Sequence, residues 1–491
     1  MITSAVIDDA SPFAASEALA KESVRSEPND QARLAFWKQR VPGTRVGDDR
    51  YRWEISHRRC KGGAHVPPRE EWRLLRPDVE REVDELRISL PISIADGCEY
   101  LARLAERGNV DGSGEAGTSQ MASDAQAFLV EAEPLFRRDL ATYVQAQNPW
   151  SDTLGLRCVA TRPRALELLR PLAIAIAATY APLAEDGVVK GTRFPLAERP
   201  LVSATAHLAT GLLALGLDLP LLGKLLVTVR DSQHDNGAFG DDMPDKFTER
   251  YGRDNALTSI ACAELLGALD PSFDLERALA WLASTQRPDG FVMAFGPELC
   301  WLSAEFVRLA DAAARPFAER FRFPQVEKAN LDRKTGLPFF AFFDDLARLF
   351  SELSGLANAT VPVAFLDLAG FGVFNNAFGQ DTGDAVLASL AAELSKIPFA
   401  RAIRDGGDEF IVVGAPDRSN LERDLETFRK AWPARFRADF GKDVPTVAPR
   451  ILWTSAPGRD LRKTREHLGR GMGAVKDQSK KPPPEGVLSH L

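Results

Sequence analysis

The apolar positions of this chain follow two different rhythms. Between about 85 and 325, hydrophobic residues recur at three- and four-residue spacing: Ala206 to Leu215, Leu219 to Val229, Ala256 to Leu269, Leu275 to Thr285 and Glu298 to Ala314. That spacing puts the apolar side chains on one face per helical turn and predicts helices. After Phe323-Pro324 the rhythm changes. Val361 to Asp367 is a short apolar run closed by a carboxylate, the pattern of a buried strand, and a helical signal follows from Asp384 to Leu394. Phe399 to Arg404 and Phe410 to Val413 predict a strand pair, with Asp405-Gly406-Gly407-Asp408-Glu409 as its turn and acids at the tip. Residues 1–30 lack periodicity, and Lys480-Lys481-Pro482-Pro483-Pro484 breaks any regular element near the other end. The expected organisation is multidomain: a loose 1–30, an all-α region of helical hairpins over 31–325, an α/β domain over 326–480 and a flexible tail over 481–491.

The loops of the helical region repeat. Asp186-Gly187-Val188, Asn236-Gly237-Ala238-Phe239 and Asp289-Gly290-Phe291 set glycines roughly fifty residues apart, about one helical hairpin each. Ser232-Gln233 precedes the second turn and Thr285-Gln286 the third. These two turns resemble the QW-type repeats of the prenyltransferase, squalene-cyclase and terpene-cyclase α/α-toroids. The resemblance implies a scaffold in which Gln caps neighbouring backbone and Gly permits a positive-φ turn that lets an aromatic pack between helices. It also implies a regulatory domain able to take a small hydrophobic ligand. The protonating Asp-x-Asp-Asp motif of that family is absent. Asp241-Asp242-Met243-Pro244-Asp245 has the spacing of a magnesium-diphosphate motif, but Pro244 inside it favours a solvated loop or a helix start. His57, Cys60 and His65 lack an evident fourth ligand and read as ordinary surface or core residues.

Composition narrows the function classes. At 491 residues, 45% hydrophobic and 26% charged, the chain exceeds one ordinary core. A net charge of −8 disfavours an extended nucleic-acid surface while leaving room for a small basic nucleotide pocket. The most apolar stretch, Leu212 to Val229, is interrupted by Asp218, Pro220 and Lys224, so no integral membrane segment is expected, and the chain reads as cytoplasmic. The five cysteines are widely spaced, without a CxxC pair, and read as reduced core thiols.

The chemistry concentrates in the C-terminal third. Asp367 at a strand end and Asp408 with Glu409 on an adjacent hairpin can converge on a magnesium ion, while Gly406 and Gly407 let backbone approach a triphosphate. Taken alone, the Gly-Gly-Asp-Glu-Phe string reads equally as an acidic β-turn. Its companions decide between these. Asp332-x-x-Thr335-Gly336-Leu337-Pro338, Phe365-Leu366-Asp367-x-x-x-Phe371-x-x-x-Asn375, Phe378-Gly379-x-x-x-Gly383-Asp384-x-x-Leu387 and Arg404-x-Gly406-Gly407-Asp408-Glu409-Phe410 follow one another in register. This stretch resembles the GGDEF family of diguanylate cyclases.

The resemblance implies a nucleotide-cyclase-like α/β fold, GTP as substrate, Mg2+ or Mn2+ as cofactor and a homodimer for catalysis, since each protomer holds one GTP. Carried over by position, Asp367, Asp408 and Glu409 are metal ligands, assisted by the Leu368 carbonyl, and Asp408 and Glu409 are the catalytic carboxylates. Asn375 and Asp384 read the guanine edge, Phe371, Gly406 and Gly407 contribute to substrate binding, and Lys476 and Lys480 hold phosphates. An acid at Asp384 suits guanine, which offers it N1–H and the exocyclic amine as donors, whereas adenine has no such pair. The departures are Ala369 for a second Asp, Gly372 for a phosphate-contacting Lys, Asn376 for Asp, and Phe339-Phe340 for Asn-Arg. Ile397 and Ala400 stand where the product-inhibition motif has Arg and Asp. Three readings follow: a diguanylate cyclase regulated by its helical region, a catalytically inactive GTP-binding sensor, or an isoprenoid-processing enzyme in the helical half.

Overall fold

The computed structural model describes residues 149–192, 198–242, 254–285, 305–306, 309–310, 312–480 and 482–491. The loose segment expected at 1–30, the His57, Cys60, His65 group and the Asp289-Gly290-Phe291 turn lie outside the described residues. The described residues divide into two compact units. The second holds Gly216–Gly223, Gly267–Phe273 and Arg315–Leu491, and the first holds the remaining described residues up to Ala314.

Among the described residues, six helices precede the C-terminal part of the chain: α1 (Pro149–Ala160), α2 (Pro163–Tyr180), α3 (Val202–Leu215), α4 (Leu219–Asp231), α5 (Ala256–Leu269) and α6 (Leu275–Ser284). α3 is buried at every residue except Ala214, so it is enclosed on all sides and is not the one-faced helix its spacing predicts. α1 packs against α2 and α3. Gly211 of α3 meets Leu156 of α1 so closely that a Cβ there would overlap the leucine side chain. The expected capping turn is present at Gly237 (φ 93°), where Gln233 Nε2 donates to the Gly237 carbonyl at 3.2 Å and Phe239 is fully buried. Asp241 is occupied in capping α3: its carboxylate accepts from the Ser203 amide at 2.8 Å and the Ser203 hydroxyl at 2.6 Å. Cys158 and Cys262 are buried free thiols. No helix among the described residues is long and apolar enough to cross a membrane.

The second unit is built on a five-stranded sheet. In chain order, after a single helical turn at Phe317–Arg320, it comprises α7 (Phe340–Glu352), α8 (Ser354–Asn358), β1 (Thr360–Leu368), α9 (Phe371–Phe378), α10 (Gln380–Leu394), β2 (Ala400–Gly406), β3 (Glu409–Gly414), α11 (Leu421–Phe440), β4 (Pro449–Pro457), α12 (Leu461–Gln478) and β5 (Val487–His490). The sheet order is β2-β3-β1-β4-β5, antiparallel except for the β4–β5 pair. β1 is central and buried from Val361 to Leu368, which explains its unbroken apolar run. Because side chains alternate along a strand, Ala364, Leu366 and Leu368 enter the core shared with α9, α10 and α11, while Asp367 projects from the opposite face, where α12 packs on β1 and β4.

Three features depart from the sequence reading. The flexible tail expected at 481–491 instead supplies β5, because the backbone of Val487–His490 finds ladder partners along β4. β4 itself is not anticipated by the apolar pattern. The hairpin turn is shorter than expected: the strands run to Gly406 and from Glu409, leaving only Gly407 and Asp408 at the tip, with a register shift between Arg404 and Gly406.

The core beneath the sheet is aromatic. Phe436 is fully buried, with ring contacts to Phe374, Trp432 and Phe440. Phe436→Ala opens a cavity there and is expected to cost about 3–5 kcal/mol. A lowered urea midpoint for the transition followed by tryptophan fluorescence measures it; an unchanged midpoint contradicts this packing.

Candidate functional site

The site begins where β1 ends. The antiparallel ladders set Glu409 of β3 on one side of Asp367 and Arg450 of β4 on the other, each directly opposite it. Asp408 follows at the hairpin tip. Asp367 is only 4% exposed, and both its oxygens are engaged. Oδ2 accepts from Arg450 Nη1 at 2.9 Å, and Oδ1 pairs with Lys476 Nζ of α12 at 2.7 Å. Lys476 also reaches Glu409 Oε1 at 3.3 Å. Burial works to lower the Lys476 ammonium, but its partners Asp367 and Glu409 outweigh that and hold it above the ordinary lysine value. Asp408 is pushed up, first by burial and then by the neighbouring charges of Asp367 and Glu409.

Three carboxylates gathered at one strand end are hard oxygen donors of the kind that suits Mg2+ or Mn2+. Burial first, and then the neighbouring Asp367 and Glu409, raise Asp408, and a cation placed beside it would relieve the second of these. As they stand, no group of three such side chains among the described residues is drawn together tightly enough to hold an ion. Leu368 is the last residue of β1, one past the final β1–β3 pair, so its carbonyl lies beyond that ladder.

The acidic tip is clamped from behind. Arg404, one-tenth exposed at its side chain, donates through Nη1 to Asp332 Oδ2 and through Nη2 to the Gly407 carbonyl, both at 2.6 Å. Asp332 also accepts from the Thr335 amide at 3.0 Å and the Thr335 hydroxyl at 2.6 Å. Burial opposes ionisation of Asp332, yet the bonds from Thr335 and Arg404 hold it below the ordinary carboxylate value. Asp405, which the sequence places in the turn, is withdrawn from it: its Oδ2 accepts from Arg465 of α12 at 2.5 Å. Around the tip there is space. Gly406 and Gly407 have no atom within 4 Å of where a Cβ would stand, and Gly407 has φ 48°. Gly370 and Gly372, at the start of α9, are equally open. Open backbone of this kind and a helix N-terminus suit phosphate groups.

The predicted base-reading residues lie across the α9–α10 junction. Asn375 Oδ1 has no hydrogen-bond partner among the described residues and lies against Gly383, where any side chain would strike it. Asp384 follows Gly383 and pairs with Lys334 Nζ at 2.8 Å. Phe371 is 8% exposed and belongs to the hydrophobic core, so it forms the wall behind Asn375 and Gly383 and presents no open face. Lys480 is exposed beyond the end of α12, without an ion pair among the described residues, and is not brought to the carboxylates. Lys476 is brought to them. Sequence reasoning quoted Asp332 and Arg404 as motif members without a task and passed over Arg450 and Arg465. Arg450 carries no signal in the sequence, because only its register opposite Asp367 gives it meaning.

Comparison with known proteins gives this geometry a family. Residues 329–438 match the family model described as "Diguanylate cyclase, GGDEF domain". "Diguanylate cyclase DgcP" of Escherichia coli (strain K12) is 31% identical over 118 residues, 23% of this chain and 33% of that relative. The match thus spans a third of the relative's length. Among solved structures, the GGDEF domain of DgcB from Caulobacter crescentus in complex with c-di-GMP is 24% identical, with TM-score 0.28 over 33% of this chain and 98% of that one. The FimX GGDEF domain from Pseudomonas aeruginosa is 15% identical, with TM-score 0.29 over 33% of this chain and 99% of that one. Scores this low carry no argument, and the assignment rests on the two sequence matches. Residues 329–438 of this chain are a GGDEF domain, the domain of the diguanylate cyclase family.

Proposed function

We propose that this protein condenses two molecules of GTP into cyclic di-GMP with release of two pyrophosphates, and that its helix-rich region, read as an α/α-toroid-like module, regulates the reaction. The observation that carries the reading is the ladder pairing of Asp367 with Glu409, next to Asp408, beside an open, glycine-lined hairpin.

In this reading the triphosphate lies along Gly406 and Gly407 and the exposed start of α9, where backbone N–H groups meet it. Asn375 and Asp384 accept from guanine, with Lys334 releasing Asp384 as the base enters. Glu409 takes the proton of the ribose 3′-hydroxyl, and that oxygen forms a bond to the α-phosphorus of the GTP on a second protomer. The α–β bridge breaks, pyrophosphate leaves, and repetition from the other side closes the ring. Asp367, Asp408 and the Leu368 carbonyl would hold a divalent ion, which would supply charge neutralisation for the leaving pyrophosphate. Two protomers must face each other, because one site holds one nucleotide.

A second reading, a GTP-binding sensor without turnover, is favoured by the cations already seated on both oxygens of Asp367 and by the absence of a side chain at Gly372. The distinguishing experiment is incubation with GTP and Mg2+ or Mn2+, scored for cyclic di-GMP by mass spectrometry. Asp408→Ala and Glu409→Ala are each expected to reduce product by roughly a hundred-fold or more. GTP binding without product in the unaltered protein selects the sensor.

Asp384→Ala should weaken GTP binding by about 1–3 kcal/mol while leaving ATP binding, already weak, unchanged. Equilibrium titration with both nucleotides checks it, and an equal loss for both contradicts guanine reading.

The raised Asp408 carboxyl carries a stability consequence. A folded-state value above the unfolded one means that its contribution is present below the unfolded value and lost as pH rises through the folded value. Ionised Asp408 therefore costs stability at neutral pH. Asp408→Asn is expected to raise Tm slightly in metal-free buffer at neutral pH, with the gain shrinking as the medium is acidified into the carboxylate range. Calorimetry across that range checks the sign.

A further inference from the structure

Two cations share the carboxylate of Asp367, and they are held in different ways. Lys476 reaches Oδ1 on a flexible stem, with 41% of its side chain exposed. It can swing aside at small cost when a metal ion or a phosphate arrives. Arg450 is 8% exposed at its side chain and is anchored through every nitrogen of its guanidinium. Nη1 donates to Asp367 Oδ2 at 2.9 Å, Nη2 to the Ser479 carbonyl at 2.9 Å, and Nε to the Ser479 carbonyl and hydroxyl at 3.2 Å. Ser479 is the residue that closes α12, so the guanidinium also satisfies the negative end of that helix. Its position therefore does not depend on Asp367 alone. Pulling Arg450 away would strand a buried charge at each end of the pair.

We propose that Arg450 is a built-in cation of the nucleotide site: it permanently occupies one oxygen of Asp367, so the carboxylate cluster accepts a single divalent ion where two would otherwise be bridged. The inference rests on the reading of Asp367 as a metal ligand. A two-ion site needs a carboxylate that offers both oxygens, one to each ion a few ångströms apart. Asp367 stands centrally between Glu409 and Arg450 in the sheet, and only its Oδ1 is exchangeable. The position two residues on, where a second carboxylate could replace the lost oxygen, is Ala369. When Lys476 swings off Oδ1 to admit the ion, three carboxylates face Arg450 alone and retain two net negative charges, which one divalent ion balances. The ligands left for that ion are Asp367 Oδ1 and Asp408, with the Leu368 carbonyl.

The test uses the full chain and reads metal directly. Mn2+ is titrated against the unaltered protein and Arg450→Gln, without nucleotide, by electron paramagnetic resonance of free Mn2+. Glutamine keeps a donor toward Ser479 and removes the charge. The expected result is Mn2+ binding tighter by about ten-fold or more in the variant, together with a Tm that falls without metal and recovers when Mn2+ is added. Equal Mn2+ affinity in a folded variant overturns the proposal. Should the variant not fold, the unaltered protein decides. With a GTP analogue bridged by an α,β-methylene group, one Mn2+ per bound nucleotide supports the built-in cation, and two overturn it. Failure of the analogue to bind sinks the GTP reading alone, and Arg450 is then judged by the nucleotide-free Mn2+ stoichiometry of the unaltered protein, where one ion supports the proposal and two overturn it.

Discussion

The register of β1 with its two neighbours is the constraint on which the C-terminal unit turns. An antiparallel strand paired on both sides leaves each residue one partner on the left and one on the right, and a slip of one residue would send Asp367 into the aromatic core. In the observed register Asp367 faces away from that core, with Glu409 on one side and Arg450 on the other. Both faces of β1 are buried from Val361 to Leu368, so what a slip would strand is the charge of Asp367, which only the observed register sets against Arg450 and Lys476. The same packing that stabilises the sheet therefore aims the carboxylates.

Holding three acids at one strand end works against stability, and the surrounding residues offset it in two ways. Lys476 and Arg450 neutralise Asp367, while Arg404 fixes the hairpin tip through Asp332 and the Gly407 carbonyl without touching the acids themselves. Asp408 is left incompletely compensated, and its raised carboxyl records the cost. Such residual repulsion is ordinary at a site built to receive a cation, where the ligand supplies the missing charge. The open glycines of the hairpin and of the start of α9 serve the same end, leaving backbone accessible where side chains would close the groove.

The helical part of the chain uses acids differently. Asp241, which has the spacing of a diphosphate-binding motif, spends both carboxylate oxygens on the Ser203 amide and hydroxyl at the head of α3. Arg157, fully buried, is matched by Glu264 and Glu305 at 2.8 Å each. Charged groups in this unit are consumed by holding helices, whereas in the GGDEF unit they are gathered at an open groove.

What the sequence by itself determined was local. Alternation and apolar runs marked β1 and the β2–β3 pair, three- and four-residue spacing marked α3 to α6 and α10, and Asp367, Asp408 and Glu409 could be named because a motif records residue types at short range. Asn236-Gly237 and Gln233 announced their turn for the same reason. What only the tertiary structure decided depends on partners far apart in the chain. β5 exists because β4 offers it a ladder, and Phe371 proves to be core because α9 lies over the sheet. Lys476 and Lys480 look alike in sequence, yet only the first is carried by α12 to the carboxylates. Arg450 is an unremarked residue in a stretch without signal until the register sets it against Asp367. A charge acquires its role from the field of its neighbours, and those neighbours are assigned by folding.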